Sequence, residues 1–184
     1  MGGRVLRVPH MSITTASVGV AAMFESGSSG VGPAANKIRV YVSYDREHDG
    51  ELHDLIVEQA SNGASGFEIS AGSRPQSPTD LWDEGLRREI RAADEVIVIC
   101  GERTDRSERV GTELRIAQEE ERPYFLLWGR REFMCTKPAT AKGGDTMYSW
   151  TREILQNQIV TIFRAAQSKA RTAELRRAKA TAKG

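Results

Sequence analysis

The chain has 184 residues with 26 basic and 25 acidic side chains, a balance that gives no sign of a protein built to bind nucleic acid. Two cysteines, Cys100 and Cys135, are too few for a disulfide framework and indicate a reducing, cytoplasmic compartment. We expect no membrane span, because no run approaches the ~20 apolar residues that one requires.

Composition divides the chain into three parts. Residues 1–36 end in a stretch rich in Gly, Ser and Ala, which is typical of a flexible extension. Residues 37–163 alternate short β-branched runs with amphipathic segments and are predicted to form a single domain. Residues 164–184 are rich in Ala and basic side chains, with Glu174 as the one acidic residue, and predict a basic tail, either a solvated helix or a frayed end.

Short strands are predicted at residues 38–42, 66–70, 95–101 and 124–128. The third is continuously apolar, which is the pattern of a central parallel strand covered on both faces. Between the last strand and a closing helix at 150–163, the polar segment 129–149 is predicted to be an unusually long loop.

Two of the predicted helices precede the third strand. The first has Leu52, Leu55, Ile56 and Gln59 on its inner face and stops at Asn62 and Gly63. The second is expected to begin with Ser77 as its cap and Pro78 in its first turn, and its apolar stripe comprises Trp82, Leu86, Ile90 and Ala93.

The helix after the third strand carries the main candidate residue, Glu113. Asp105 and Glu108 fit a capping box at its start, and the apolar face includes Val110 and Leu114. At about 100° per residue Glu113 falls inside this apolar face, where a carboxylate is costly unless it is paired or used. Alternatively, Glu113 lies near the helix start, meets solvent there and interacts favourably with the helix dipole.

Alternating strands and helices predict an α/β fold, a flavodoxin-like, doubly wound parallel sheet. Ligands of such sheets bind beyond the carboxyl ends of the strands, at the switch point between the first and third strands. The crevice there is expected to be rimmed by residues 43–49 and 101–107, with Glu113 on the helix that leaves the second rim.

Several ordered segments resemble Toll/interleukin receptor (TIR) domains, most closely a TIR-like group of bacterial anti-phage defence. They are the opening strand and loop at residues 39–44, the so-called BB loop at 71–78, the strand at 92–101, the glutamate helix, and the segments 122–125 and 147–150. The resemblance implies a TIR-like domain whose Glu113 aligns with the catalytic glutamate of family members that cleave the nicotinamide–ribose bond of NAD.

On this resemblance NAD is a substrate and no cofactor is needed, and the product is ADP-ribose or a cyclic form that signals to a separate effector protein. Ser43, Tyr44, Ser73, Arg74 and Arg109 are the expected NAD-binding residues, with Tyr44 stacking on a ring and Arg74 meeting the pyrophosphate. In the alternative, purely structural interpretation, Tyr44 is a packing residue and Arg74 is a solvated charge in a loop. Many relatives have an aromatic residue where Arg109 stands. The resemblance also implies self-association through the 71–78 loop.

Two alternatives remain open from the sequence. Nucleoside deoxyribosyltransferases share this type of fold and often have a glutamate soon after Gly-Thr, as in Gly111 and Thr112. Many TIR domains are not enzymes and only assemble. A metal site is not expected, because His10, His48 and His53 have no cysteine partners at metal-ligand spacing.

Overall fold

The computed structural model describes residues 37–63, 65–74 and 81–181, without the side chains of residues 81 and 82. Within them, five parallel strands form one sheet in the order β2-β1-β3-β4-β5. The strands are β1 Ile38–Ser43, β2 Phe67–Gly72, β3 Glu95–Cys100, β4 Tyr124–Trp128 and β5 Met147–Ser149. This order is that of flavodoxin-like doubly wound sheets, so the predicted fold class is confirmed.

Helices cover both faces of the sheet. Leu52 and Ile56 of α1 (Gly50–Ser61) pack with Leu155 and Ile159 of α4 (Arg152–Thr181) in one core cluster. The opposite cluster contains buried residues of α2 (Leu81–Ala92) and α3 (Glu108–Glu119), among them Leu86, Ile90, Val110 and Leu114. All six residues of β3 are buried between these layers, as the continuous apolar run predicts.

The predictions are wrong for two of the strands and for one residue of the inner face of α1. The segment predicted as one long loop contains β5, and β2 continues through Ala71 and Gly72, which were assigned to the BB loop. In α1, Leu55 is 48% exposed and Ala60 is buried in its place. The reason is helical geometry, because Leu52, Ile56 and Ala60 follow one another at intervals of four residues and form a single stripe.

The predicted capping box at the start of α3 is also wrong. Residues Thr104–Arg106 form a separate 3₁₀ turn, and α3 begins at Glu108. Asp105 is tied elsewhere, since its N–H donates to Thr136 Oγ1 and its Oδ1 accepts from the same hydroxyl. At the other end, Glu120 follows the last helical residue and pairs with Arg87 and Arg91, so it does not enter the core.

Helix α4 does not end at residue 163, where the sequence pattern places the end of the domain. It continues to Thr181, and its side chains beyond Arg164 are mostly exposed, as in the solvated-helix alternative. The proposed cap Ser77 and the following Pro78 lie outside the described residues, as does the extension 1–36.

Two glycines bring the start of α1 into direct contact with the ends of β3 and β4. A Cβ at Gly101 would lie 2.2 Å from Oδ2 of Asp49, the residue before α1. A Cβ at Gly129 would lie 2.6 Å from Cδ1 of Leu52 and 2.9 Å from the carbonyl oxygen of Cys100. Neither gap can hold a methyl group, so this side of the sheet edge is closely packed.

Candidate functional site

Glu113 lies at the carboxyl end of β1, as the sequence predicts, and its side chain is 0% exposed. Oε2 accepts hydrogen bonds from Ser43 Oγ at 2.6 Å and from Ser73 Oγ at 2.5 Å. Oε1 accepts one from Nε of Arg109 at 3.0 Å. Both carboxylate oxygens are therefore held by donors that come from β1, from the segment after β2 and from α3 itself.

Ser73 is fixed in this arrangement by a second bond. The backbone N–H of Tyr44 donates to its Oγ at 3.1 Å, so the hydroxyl proton is left to point at Glu113. Burial raises the pKa of the Glu113 carboxyl above its ordinary value, and the hydrogen bonds from Ser43 and Ser73 and the charge of Arg109 act against that shift.

Tyr41 is a neighbour of this site that the sequence pattern did not single out. It lies two residues before Ser43 in β1, so both side chains project from the same face of the sheet. Its hydroxyl is buried and has no hydrogen-bond partner at ordinary geometry within residues 37–63, 65–74 and 81–181. Burial and then the nearby charge of Glu113 raise the pKa of the phenol, so Tyr41 is a neighbour of the carboxylate that makes no hydrogen bond of ordinary geometry to it.

A crevice of about 570 Å³ opens next to these groups, between the loops that follow β1 and β3. Its walls are formed by residues 45–48, 103 and 106–109, in good agreement with the two rims expected from the fold. Arg109 belongs both to the wall and to the Glu113 cluster, so the buried carboxylate lies directly behind the crevice.

On the rim, His48 links Asp45 to Arg103. His48 Nδ1 lies 3.0 Å from Asp45 Oδ2, and His48 Nε2 lies 3.0 Å from Nη1 of Arg103. Because a guanidinium can only donate, Nε2 must be the acceptor and the ring proton must be on Nδ1, donated to Asp45. The imidazole is therefore neutral in this arrangement.

The structure does not bring every expected NAD-binding residue to the carboxylate. Ser43, Ser73 and Arg109 contact Glu113, whereas the ring of Tyr44 belongs to the core cluster of α1 and α4, on the other layer of the fold. It stacks on His53 at a centroid distance of 4.5 Å, as the packing interpretation has it. Arg74 is 67% exposed and pairs with Glu89 of α2 at 3.0 Å.

A second cavity of about 460 Å³ lies between α1 and the start of α4 and is lined by Leu55, Trp128 and Trp150, among others. It contains no buried ionisable side chain and does not reach the Glu113 cluster. The crevice between β1 and β3 is therefore the candidate functional site. The carbonyl oxygen of Gly111 accepts a hydrogen bond from Thr140 Oγ1 at 2.9 Å.

Within the described part of the chain, no group of three or more His, Cys, Asp or Glu side chains is arranged to hold a metal ion. None of the helices in the same residues has the length and apolar content needed to cross a membrane.

Comparisons with known proteins extend the fold assignment only slightly. No family model matches the chain, and no curated protein does. A solved structure of a prokaryotic SEFIR domain is similar in fold, with 21% sequence identity over 70% of this chain and 97% of that chain. Its TM-score of 0.41 is too low to say anything about activity.

Proposed function

We propose that this protein cleaves the nicotinamide–ribose bond of NAD, with Glu113 as the catalytic carboxylate. The observation that carries the proposal is the placement of Glu113, fully buried, held by three donors and directly behind the switch-point crevice. Cleavage of that bond builds oxocarbenium character on the ribose, and a fixed anion in a water-poor site stabilises such a charge. The resemblance of the chain to NAD-consuming TIR domains supports the same assignment.

The hydrogen bonds of Glu113 suggest how substrate engages it. Ser43 and Ser73 both donate to Oε2, and ribose hydroxyls are donors of the same kind. In the proposed reaction the ribose hydroxyls take the place of the serine hydroxyls, and the carboxylate then faces the developing charge. Nicotinamide leaves, and either water or a group within ADP-ribose captures the sugar carbon, giving ADP-ribose or a cyclic product.

Exposure of Glu113 requires Ser73 to move away, and Ser73 belongs to the 71–78 segment that the resemblance assigns to self-association. We propose that neighbouring copies dock through this segment and open the site, so that specific activity rises with protein concentration. By the same resemblance we place the protein in bacterial anti-phage defence, where a cyclic product would signal to a separate effector protein.

One observation favours a second candidate, an assembly module without catalysis. Glu113 is 0% exposed and both of its oxygens accept hydrogen bonds from the chain itself, as in a purely structural buried ion pair. The deoxyribosyltransferase alternative gains no comparable support from the contacts of the described residues, where the carbonyl oxygen of Gly111 accepts a hydrogen bond from Thr140.

The test is to incubate the purified full chain with NAD, in dilute and self-associated forms, and to measure nicotinamide release with light scattering in parallel. We expect release that increases with association and is lost in Glu113→Gln. Chromatography of the second product separates hydrolysis from cyclisation. Assembly without nicotinamide release would establish the non-catalytic module, and base exchange between deoxynucleosides would establish the transferase.

A further inference from the structure

The crevice between β1 and β3 contains more basic groups than the Glu113 site uses. Four guanidinium groups line it, those of Arg46, Arg103, Arg106 and Arg109, together with three carboxylates, those of Asp45, Glu47 and Glu108. Some arginines elsewhere in the described chain pair with carboxylates, as Arg39 does with Asp94. What the crevice can bind depends on the partners of its own arginines.

Three of the four crevice arginines have no carboxylate within ion-pair distance among the described residues. Arg103 meets the neutral His48 ring, because the Asp45 charge is engaged by the opposite nitrogen of that ring. Arg46 donates from Nη1 to the carbonyl oxygen of Ser73 at 3.2 Å, which is again a neutral acceptor. Arg106 makes no side-chain hydrogen bond or ion pair with the described residues, although Glu47 and Glu108 line the same walls. These three guanidinium groups therefore form no ion pair among the described residues and create local positive potential, although three carboxylates line the same concave surface.

The first turn of α3 adds to this positive potential. Residues 107–109 line the crevice, and Ser107 makes no side-chain capping hydrogen bond. The positive end of the helix dipole thus lies at the crevice, where it favours an anion.

We propose that this crevice binds the diphosphate group of a dinucleotide through Arg46, Arg103 and Arg106. Guanidinium groups match phosphate oxygens in a forked geometry, and each retains N–H donors beyond those used within the chain. A volume of about 570 Å³ is in the range of small-molecule sites. The identity of the dinucleotide as NAD rests on the proposed function, whereas the diphosphate site rests on the crevice itself. It replaces Arg74, which pairs with Glu89, as the expected diphosphate contact.

Binding can be measured apart from catalysis in the full-length Glu113→Gln variant, which is expected not to consume NAD. Titration calorimetry with inorganic pyrophosphate, ADP and adenosine tests the charge requirement directly. Pyrophosphate and ADP are expected to bind with an affinity that falls as salt rises, and adenosine is expected to bind far more weakly.

Arg103→Gln and Arg106→Gln, each added to that variant, are expected to weaken ADP binding about tenfold or more, as the loss of a charge-assisted hydrogen bond implies. Arg131→Gln is the matched control, because it removes the same charge from the wall of the other cavity. Circular dichroism and the thermal midpoint verify that each variant is folded.

Equal ADP affinity in the crevice variants and the parent would overturn the inference, and so would an equal loss in Arg131→Gln. The two proposals fail separately. Weaker ADP binding in the crevice variants, with no nicotinamide release by the native chain, would refute NAD cleavage and leave the diphosphate site standing. Nicotinamide release by the native chain, with unchanged ADP affinity in the crevice variants, would refute the diphosphate site and leave NAD cleavage standing.

Discussion

Glu95 and Glu113 are both 0% exposed, yet their surroundings have little else in common. Glu95 is the first residue of β3, so it lies at the amino ends of the strands, away from the crevice. Neither of its carboxyl oxygens has a hydrogen-bond partner among the described residues. Glu113 lies at the carboxyl edge, where two hydroxyls and a guanidinium donate to it.

Desolvation raises the pKa of the Glu95 carboxyl to about 9, so this group is protonated and uncharged at neutral pH. The pKa of Glu113 is raised by burial as well, but its three donors favour the ionised form. The comparison teaches that burial of a carboxylate does not by itself identify a site. What distinguishes Glu113 is the set of donors that favours its ionised form beside an open crevice.

The largest expected effect comes from making the same substitution at both carboxylates. Glu113→Gln is expected to lower nicotinamide release about 100-fold or more, because the fixed anion is lost. Glu95→Gln replaces an uncharged acid by an amide of the same shape and is expected to leave the rate within about twofold. Initial rates at matched protein concentration provide the measurement. Similar losses in the two variants would remove the distinction between the carboxylates.

The pH dependence of stability is expected to reveal Glu95. In the unfolded chain this carboxyl ionises near its ordinary pKa of 4.5, whereas in the folded chain it keeps its proton up to about 9. Its contribution to stability is complete below the lower value and is lost as pH rises toward the upper one. Between them the free energy of unfolding should fall by up to about 1.4 kcal/mol per pH unit from this group alone.

Urea unfolding at about pH 5.5 and about pH 8 measures that slope. Glu95→Gln should reduce the slope without abolishing it, because the pKa of Glu113 is also raised and acts in the same direction. A slope that is the same in Glu95→Gln and in the native chain would show that Glu95 is not the source.

A smaller effect is expected at the donors of Glu113. Ser43→Ala removes a hydrogen bond that lowers the pKa of the carboxyl. Because the ionised form is the one that stabilises the transition state, the acidic limb of the rate profile should move to higher pH by roughly half a unit to one unit. Ser70→Ala is the control, since the Ser70 hydroxyl donates to the carbonyl oxygen of Val40. An unmoved limb in Ser43→Ala would exclude Ser43 as a determinant of this pKa.

The smallest effect is expected for Tyr41→Phe, which removes a buried hydroxyl without a hydrogen-bond partner of ordinary geometry among the described residues. Loss of an unsatisfied polar group should raise the free energy of unfolding by about 1 kcal/mol or less. Urea midpoints of the two proteins give the comparison. A marked destabilisation would instead show that Tyr41 donates a bond that the folded chain needs.

Much of the fold could be predicted because the periodicity of apolar residues in the sequence agrees with the buried positions along most of the described chain. The continuous apolar run of β3 and the stripe of α3 have one straightforward interpretation each. The short strand β5 was missed because three residues within a polar segment show no periodicity. Asp105 misled the prediction of the helix start, since its hydrogen bonds go to Thr136, a contact over 31 residues that local sequence cannot reveal.

The site was predictable in part for the same reasons. Helical period placed Glu113 inward, and the topology of the sheet placed it near the ends of β1 and β3. The partners of the arginines were not predictable, because the pairing of Arg103 with His48 spans 55 residues between two loops. Tyr41 had a usable signal in the alternation of β1, since it shares a face with Ser43.

The close contacts at Gly101 and Gly129 make the two sides of this sheet edge unequal in stiffness. Where α1 meets β3 and β4, the atoms are already too close for one added methyl group, and that side can hardly be compressed. On the other side, Ser73 is held by hydrogen bonds, from its hydroxyl to Glu113, from Tyr44 to its Oγ, from Arg46 to its carbonyl oxygen and from its N–H to Val42. Displacement of Ser73 therefore requires the exchange of several hydrogen bonds, whereas any compression at Gly101 meets atoms that are already in contact.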